Sequence, residues 1–314
     1  MTYKNRLIFL ISLVAALLLT YIISVIFSSN ITGSGTSLYS WLDSRSSSRI
    51  NKIVIDSQEN EFELVRKINQ WYVLHDGFEY PARNIRIEDF LSNFTKKTAW
   101  SVRSSSASTH ERFGVDDSAS RVTIHGEFSV LLDLLFGNDD VFRNETYVRK
   151  AGHNEVRSGD MSIKTYITSP VTSWYNLRLI PDSEGGAVDV GNVQRISVTN
   201  NNETQVFTRR NRGWDVSGIN VNNPSFVNIE SYIRMVINTE GDGFSESVTR
   251  NDPIFRNNRI VIELGNGRIV TINLSEADDS GRIYAHVIGR DYIYSIPSWS
   301  AGRLYRDAAS FETQ

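Results

Sequence analysis

The chain has 314 residues, a formal net charge of −3 and no cysteine. The absence of cysteine excludes a disulfide-stapled fold and a lipoprotein anchor. The mild acidic excess, with no basic stripe, indicates no nucleic-acid partner, and the length is sufficient for two domains with separate apolar cores.

The first predicted element is a transmembrane helix at residues 7–27, a run that contains no charged or amide side chain. At about 1.5 Å rise per residue, a helix of this length reaches about 30 Å, the thickness of the hydrocarbon core of a bilayer. A cleaved signal peptide is the closest alternative, but its apolar region usually has about 7–15 residues. We therefore predict an uncleaved anchor that contacts the lipid bilayer through residues 7–27.

Basic residues lie on one side of this predicted helix. Lys4 and Arg6 precede it, whereas Ser28 to Ser44 include no lysine or arginine. Because segments rich in lysine and arginine remain on the cytoplasmic side of a membrane, residues 1–6 are predicted to be cytoplasmic. The remainder is predicted to be periplasmic or extracellular, in a single-pass protein of the bacterial inner (cytoplasmic) membrane. Residues 28–49 are rich in serine, glycine and threonine and are predicted to form a tether.

The rest of the chain contains an internal duplication. It aligns with itself at an offset of about 143, which drops to about 137 toward the end of each copy. The matched pairs include Ile53 and Ile196, Trp71 and Trp214, Pro81 and Pro224, Phe90 and Ile233, Phe94 and Ile237, Tyr147 and Tyr284, and Gly152 and Gly289. We predict repeat 1 at 50–172, a packed connector at 173–190 and repeat 2 at 191–314.

Each repeat has the same order of predicted elements: half-buried strands, one amphipathic helix and further strands. The gaps between strands are too short for parallel crossovers, so the sheets are predicted to be antiparallel. The fold class is therefore α+β, with one N-terminal transmembrane helix followed by two tandem strand-rich repeats, each an antiparallel sheet covered by a helix. The predicted helices are at residues 86–97 and 228–238. The later strands are at 122–124, 130–136, 146–149, 260–264, 269–274 and 283–287.

The connector contains Trp174, Tyr175 and Leu179. A loose linker is poor in aromatic residues, so these side chains are predicted to be buried between two repeats that touch each other. Among the other tryptophans, Trp71 and Trp214 occupy matched positions and are predicted to be core residues. Trp41 and Trp100 have no counterpart in the other copy, and we predict them as a possible contact surface.

The sequence offers little catalytic chemistry. The five histidines show no metal-ligand spacing, and there is no nucleophile elbow or phosphate-binding loop, so no metal, cofactor or enzymatic activity is expected. Adjacent carboxylates suggest a hydrolase or a calcium site, but turns explain them better. These pairs are Asp116 and Asp117, Asp139 and Asp140, and Asp278 and Asp279.

The sequence resembles the bacterial family called domain of unknown function 4340 over nearly the whole region after the tether. The resemblance rests on the strands and tryptophan from Ile53 through Trp71, the Arg112-Phe113-Gly114-Val115 step, the Tyr147-Val148-Arg149 strand and the connector from Trp174 to Ile180. Repeat 2 departs from the pattern where Pro253-Ile254-Phe255-Arg256 replaces the glycine step. The resemblance implies a membrane-anchored protein that often stands beside components of a gliding-type ABC transport system.

These observations favour a non-enzymatic extracytoplasmic accessory or scaffold subunit of an ABC-type transport or envelope assembly, with a permease or an ATPase as its possible partner. The alternative is a cell-wall or glycan binding module that uses exposed aromatic side chains. An envelope hydrolase that uses an acidic pair such as Asp139 and Asp140 is the third hypothesis.

Overall fold

The computed structural model describes residues 17, 38–58, 60–68, 70–180, 188–211 and 213–313. The predicted anchor at 7–27 lies outside these residues, apart from Leu17, and so does the first part of the predicted tether, 28–37. In the described part of the chain, no helix is long and apolar enough to cross a bilayer.

Strands make up most of the regular structure. In chain order they are β1 (Leu38–Tyr39), β2 (Ile50–Asp56), β3 (Glu61–Lys67), β4 (Gln70–His75), β5 (Phe78–Pro81), β6 (Thr98–Ala99), β7 (Ser101–Ser104), β8 (Ser120–Gly126), β9 (Val130–Asp140), β10 (Glu145–Lys150), β11 (Val156–Asp160), β12 (Val193–Asn200), β13 (Glu203–Arg210), β14 (Gly213–Ser217), β15 (Gly243–Ser245), β16 (Asn258–Leu264), β17 (Ile269–Leu274), β18 (Ile283–Val287) and β19 (Ile293–Ile296).

The α-helices are α1 (Asn84–Thr95), α2 (His110–Phe113), α3 (Lys164–Thr168), α4 (Phe226–Ile237) and α5 (Ser298–Leu304). Short 3-10 helices occur at Ser44–Arg49, Ala107–Thr109, Met161–Ile163, Val171–Trp174, Val190–Asn192, Pro253–Phe255 and Ala308–Phe311. The two longest of the described helices, α1 and α4, confirm the predicted helices with bounds shifted by about two residues.

Two large sheets contain nearly all the described strands. One has the order β5-β4-β3-β2-β8-β9-β10-β11-β7, the other has the order β14-β13-β12-β16-β17-β18-β19-β15, and β1 pairs with β6 in a separate small sheet. The strand pairs with a described register are antiparallel. The predicted mixture of antiparallel sheets and a few helices is therefore confirmed.

The strand order is the same in both sheets once β5 is set aside. The two long helices also match, because α1 and α4 begin 142 residues apart and bury equivalent faces. Phe90 therefore corresponds to Tyr232 and Phe94 to Val236, one residue earlier than the sequence alignment predicts. The structure gives β14 no counterpart of β5 among the described residues.

The chain forms two compact units, and each is discontinuous in sequence. Unit 1 contains residues 1–63 and 87–169, and unit 2 contains residues 64–86 and 170–314. The predicted repeats, 50–172 and 191–314, are each continuous in sequence, and their boundaries remain a prediction. Residues 64–86 fall in predicted repeat 1 but belong to unit 2.

Unit 1 has its core between β-sheet side chains and α1. Phe90 and Phe94 are fully buried, with perpendicular rings whose centroids lie 5.0 Å apart.

From residue 38 onward the predicted tether is folded, which corrects that prediction. Leu42 is buried and its amide donates to the carbonyl of Phe94 at 3.0 Å, while the guanidinium of Arg157 lies 4.0 Å from the ring centre of Tyr39.

Unit 2 has a core that includes α4, the inner face of the second sheet and the connector. Trp214 is 3% exposed, as predicted for a core tryptophan. Leu179 of the connector belongs to the same core and is 1% exposed. Trp174 and Tyr175 are buried as well, and the packed connector at 173–190 remains a prediction. Residues 181–187 of the connector lie outside the described residues.

Candidate functional site

A polar cleft of about 350 Å3 opens in unit 1, where the loop between α2 and β8 approaches the end of β9. We call it the glycine cleft. Its lining includes Gly114, Asp116, Ser120, Gly137, Asn138 and Lys164.

Two glycines allow the close approach that forms this cleft. Gly114 ends α2 with φ of 64°, a left-handed conformation that glycine adopts without strain. A Cβ atom on Gly137 would lie 2.2 Å from the carbonyl oxygen of Phe113, closer than real contacts permit. The Arg-Phe-Gly-Val step noted in the sequence is therefore a helix end pressed against β9, and Gly137 makes room for it.

A lysine is fixed beside these glycines. The Nζ atom of Lys164, at the start of α3, donates to the carbonyl oxygen of Gly137 at 2.8 Å. It also lies 3.2 Å from both carboxylate oxygens of Asp139. The ion pair is partly exposed, so it contributes little to stability, but it holds the ammonium group in one place on the wall of the cleft.

The carboxylate of Asp116 is positioned by the loop itself. Its Oδ1 atom accepts hydrogen bonds from the amide of Ser118 at 2.9 Å and from the hydroxyl of Ser118 at 2.6 Å. These bonds, the hydroxyl bond first, hold the pKa of Asp116 below its usual value. The carboxylate is therefore charged at neutral pH.

A buried arginine contacts the same loop. Arg149 is 5% exposed, and its Nε atom donates to the carbonyl of Val115 at 2.7 Å. Its Nη2 atom lies 3.2 Å from Oδ1 of Asp117. Because the guanidinium contacts both the backbone and a carboxylate, it orients the loop that carries Asp116.

A second cleft of about 470 Å3 lies in unit 2, and we call it the proline cleft. It lies before β16 and at the end of β17, as the glycine cleft lies before β8 and at the end of β9. The fold therefore makes a cleft at the same place in both sheets. The lining includes Pro253, Ile254, Ser275, Glu276, Asp278 and Tyr284.

The proline cleft differs in chemistry from the glycine cleft. Pro253 begins a 3-10 helix where repeat 1 has its glycine step, and Ile254 next to it is 38% exposed. Asp278 resembles Asp116, because its Oδ1 atom accepts from the amide and the hydroxyl of Ser280, and the hydroxyl bond is the main cause of its lowered pKa. The glycine cleft thus presents an ammonium group and a carboxylate, and the proline cleft presents two acidic side chains beside an apolar wall.

The acidic pairs are separated by the fold. Asp116 and Asp117 lie in the loop before β8, and Asp278 begins a turn between β17 and β18, in line with the prediction for these two pairs. Asp139 and its neighbour instead end strand β9, and the turn follows at residues 141–144, so that prediction was wrong. In the part of the chain that the structure describes, no group of three or more acidic or histidine side chains could hold a metal ion.

The predicted contact surface, Trp41 and Trp100, is located in unit 1. The two rings contact each other, with centroids 5.2 Å apart and nearly perpendicular planes. Trp100 is 3% exposed and packs over Gly159, where a Cβ atom would lie 2.5 Å from the indole ring, so this ring is part of the core. The contact-surface prediction is therefore corrected for Trp100, and it remains a prediction for Trp41, which is partly buried.

Two cleft residues, Gly137 and Lys164, had no signal in the sequence that pointed to a site. Gly137 lies in a stretch that predicts a turn, and Lys164 follows β11 in a short helix far from the glycine step in the sequence. The antiparallel pairing of β8 with β9 places Gly137 beside Gly114, and the hydrogen bond to the carbonyl of Gly137 places Lys164 there.

The chain was compared with known proteins and families. A family model described as "Domain of unknown function (DUF4340)" matches residues 71–240, which is more than half of the chain. No curated protein and no solved structure gives a significant match. The match includes most of the residues that line the glycine cleft, the connector and helix α4. The chain belongs to the family called domain of unknown function DUF4340.

Proposed function

We propose that the chain is a non-enzymatic, extracytoplasmic accessory or scaffold subunit of an ABC-type transport or envelope assembly. One observation carries the proposal: the fold presents two sheets of the same strand order with a cleft at the same place in each. A repeated surface of this kind suits a protein that holds partners, because it offers two contact regions at matching places in the sheets, with different chemistry.

The two sheets also support a tandem duplication as the origin of the chain. Trp71 and Trp214 are the second residues of β4 and β14, and both are buried. The difference between the glycine step and Pro253 then gives each copy its own cleft. We infer that the repeats share a scaffold and have different contacts.

The membrane part of the proposal rests on the sequence. The apolar run at residues 7–27 would anchor the protein in the bacterial cytoplasmic membrane with its N-terminus inside and both units in the periplasmic or extracellular space. An anchored scaffold acts at high local concentration on proteins of the same membrane, so a permease or its ATPase is the proposed partner.

The test is crosslinking in native membranes. The full-length protein with a C-terminal tag is crosslinked, solubilised and purified, and the bound proteins are identified by mass spectrometry. We expect a permease or an ATPase in the purified material, and recovery of the tagged chain alone would overturn the proposal. Co-sedimentation of the protein with isolated cell wall, without a transport component, would overturn it in favour of the glycan binding alternative.

A matched pair of variants tests whether the glycine cleft takes part. Lys164→Ala removes the ammonium group from the cleft wall, and Lys150→Ala removes an exposed ammonium group at the end of β10. If the cleft binds the partner, the first variant loses recovery of the partner and the second retains it. Equal recovery with both variants would exclude this cleft as the contact region.

A further inference from the structure

The two sheets differ at one edge, and this difference indicates a binding site. Strand β4 of the first sheet is covered by β5, through the pairs from Tyr72 with Pro81 to His75 with Phe78. Strand β14 occupies the same place in the second sheet, but it is the last strand, and no described residue pairs with its outer side.

The register shows which backbone groups of β14 point outward. A two-residue loop joins Arg210 to Gly213, so these residues form a hydrogen-bonded pair, and the bonded pairs recur at Asp215 and Ser217. The amide and carbonyl groups of Trp214 and Val216 therefore point away from β13. In the first sheet the equivalent carbonyl, that of Trp71, accepts a bond from the amide of Ala82 at 2.9 Å.

Side-chain burial shows the same difference. Val73 of β4 is fully buried, and its cross-strand partner Tyr80 is 5% exposed. Val216, which takes the place of Val73 in β14, is only partly buried at the border of the core of unit 2. The second sheet therefore has an edge valine without the large side chain that covers its counterpart.

The chain after β14 takes another path. Residues 76–83 and 218–225, eight in each case, link the edge strand to the long helix. In the second copy this segment pairs with the C-terminus: the amide of Thr313 donates to the carbonyl of Asn223 at 2.9 Å, and the amide of Ser225 donates to the carbonyl of Phe311 at 2.7 Å. The C-terminal residues thus hold the segment that would otherwise supply a covering strand.

We propose that the outer edge of β14 binds an extended strand of a partner polypeptide, antiparallel to β14, as β5 binds β4. Main-chain bonds to Trp214 and Val216 supply the affinity. The partner strand places a large apolar side chain opposite Val216 and a small one opposite Trp214, as Tyr80 and Ala82 do in the first sheet. This inference names a contact surface of the proposed scaffold. The existence of a partner polypeptide rests on the proposed scaffold function.

The test uses the full-length protein in detergent and a fluorescent synthetic peptide with the sequence of residues 76–83, which includes β5. Val216→Pro removes one outward amide and keeps the bonds to β13, while Val216→Ala shortens the same side chain and keeps the amide. We expect saturable binding to the wild type and to Val216→Ala, and about tenfold weaker binding to Val216→Pro. Absence of saturable binding, or equal affinity for all three proteins, would overturn the proposal.

Two further measurements keep the test independent of the folding of Val216→Pro. Methylation of the amide nitrogen at the Tyr80 position of the peptide removes the bond to Val216 from the other side, and binding is expected to weaken to the same degree. A photoreactive group on the peptide is expected to label β14. Labelling of β4, where the peptide could replace β5, or undiminished binding of the methylated peptide would contradict the proposal.

The two proposals fail in different ways. If native membranes yield a transport component equally with wild type and Val216→Pro, the edge proposal fails and the scaffold function stands. If they yield none with the wild type, the scaffold function fails, whereas the peptide measurement still decides whether β14 accepts a strand.

Discussion

The ring of Tyr80 lies parallel to the ring of Phe244, with centroids 4.6 Å apart and planes 5° from parallel. Tyr80 belongs to β5 and Phe244 to β15, so residues far apart in the sequence share one core in unit 2. Tyr175 of the connector completes the group, with its ring 4.9 Å from that of Tyr80.

Truncation of Tyr80 is expected to destabilise unit 2 strongly. Tyr80→Ala removes a nearly fully buried ring, and the free energy of unfolding should fall by about 3–5 kcal/mol. Phe78→Ala on the same strand is the control, because Phe78 is 49% exposed and its loss should cost roughly 0.5–1 kcal/mol. Urea unfolding measures both, and equal losses would show that the ring stack does not hold unit 2 together.

Unit 2 is expected to need residues 64–86 for its stability. A fragment of residues 170–314 lacks β4, β5 and with them Trp71 and Tyr80, which are both buried. The fragment should bind a hydrophobic dye and unfold without a sharp transition, and a synthetic peptide of residues 64–86 should restore the transition. Cooperative unfolding of the lone fragment, unchanged by the peptide, would contradict this expectation.

Gly137→Ala should disrupt the glycine cleft. The new methyl group would meet the carbonyl of Phe113, and the displacement of α2 should cost about 1–3 kcal/mol or more. Gly152→Ala is the matched control, because it has open space around it and only its φ of 75° opposes a side chain, at about 1–2 kcal/mol. Thermal unfolding should rank Gly137→Ala as the less stable protein, and the reverse order would exclude the close contact.

The ion pair of Asp133 and Arg121 should stabilise the fold only above acidic pH. The Nε atom of Arg121 donates to Asp133 at 2.8 Å, and this bond is the main cause of the lowered pKa of the carboxyl group. A lowered pKa in the folded state contributes stability above the ordinary value of 3.8, which is lost as the pH falls through the folded pKa.

At pH 7, Asp133→Asn should therefore lose at most about 1 kcal/mol, since the pair is partly exposed. As the pH falls from 3.8 through the folded pKa of Asp133, the variant and the wild type should converge. Urea midpoints measured from pH 7 down through this range follow the effect, and a difference that does not change with pH would rule out the ion pair as its cause.

Alkaline pH should unfold unit 2. Burial raises the pKa of Tyr305 to about 12, and it raises the pKa of Tyr232 and Tyr294 further. A raised tyrosine pKa favours the neutral folded form, so this stability is complete below pH 10 and is lost as the pH rises from there through the folded pKa. Tyrosinate absorbance should rise together with the loss of secondary structure.

Tyr305→Phe provides the control for this titration. The hydroxyl of Tyr305 is buried without a hydrogen-bond partner among the described residues, so its removal should leave the stability at pH 7 unchanged or slightly increased. The alkaline midpoint should move upward, and an unchanged midpoint would show that Tyr305 does not titrate with unfolding.

Local patterns in the sequence predicted the elements well. Alternating residues located β2 and β3, helical spacing located α1 and α4, and matched tryptophans predicted two buried rings. These patterns succeed because strand and helix periods depend on which side of an element is buried.

The same patterns do not predict which residues pack against the buried side of each strand or helix. Trp100 shows no feature in the sequence that distinguishes a core ring from an exposed one, and the structure shows that Gly159 on β11 leaves room for this ring inside unit 1. Tyr80 likewise has the pattern of any inward strand residue, whereas its partners come from residues 175 and 244. Long-range partners and the cleft around Gly137 therefore required the structure.

The split of unit 2 between residues 64–86 and 170–314 has a consequence during synthesis on the ribosome. The early segment leaves the ribosome long before the late one, and at about 5–20 residues per second the delay is on the order of ten to fifty seconds. Throughout this interval Trp71 and Tyr80 have no finished core to enter. The nascent chain therefore exposes an aromatic hairpin that a chaperone can hold until the C-terminal half arrives.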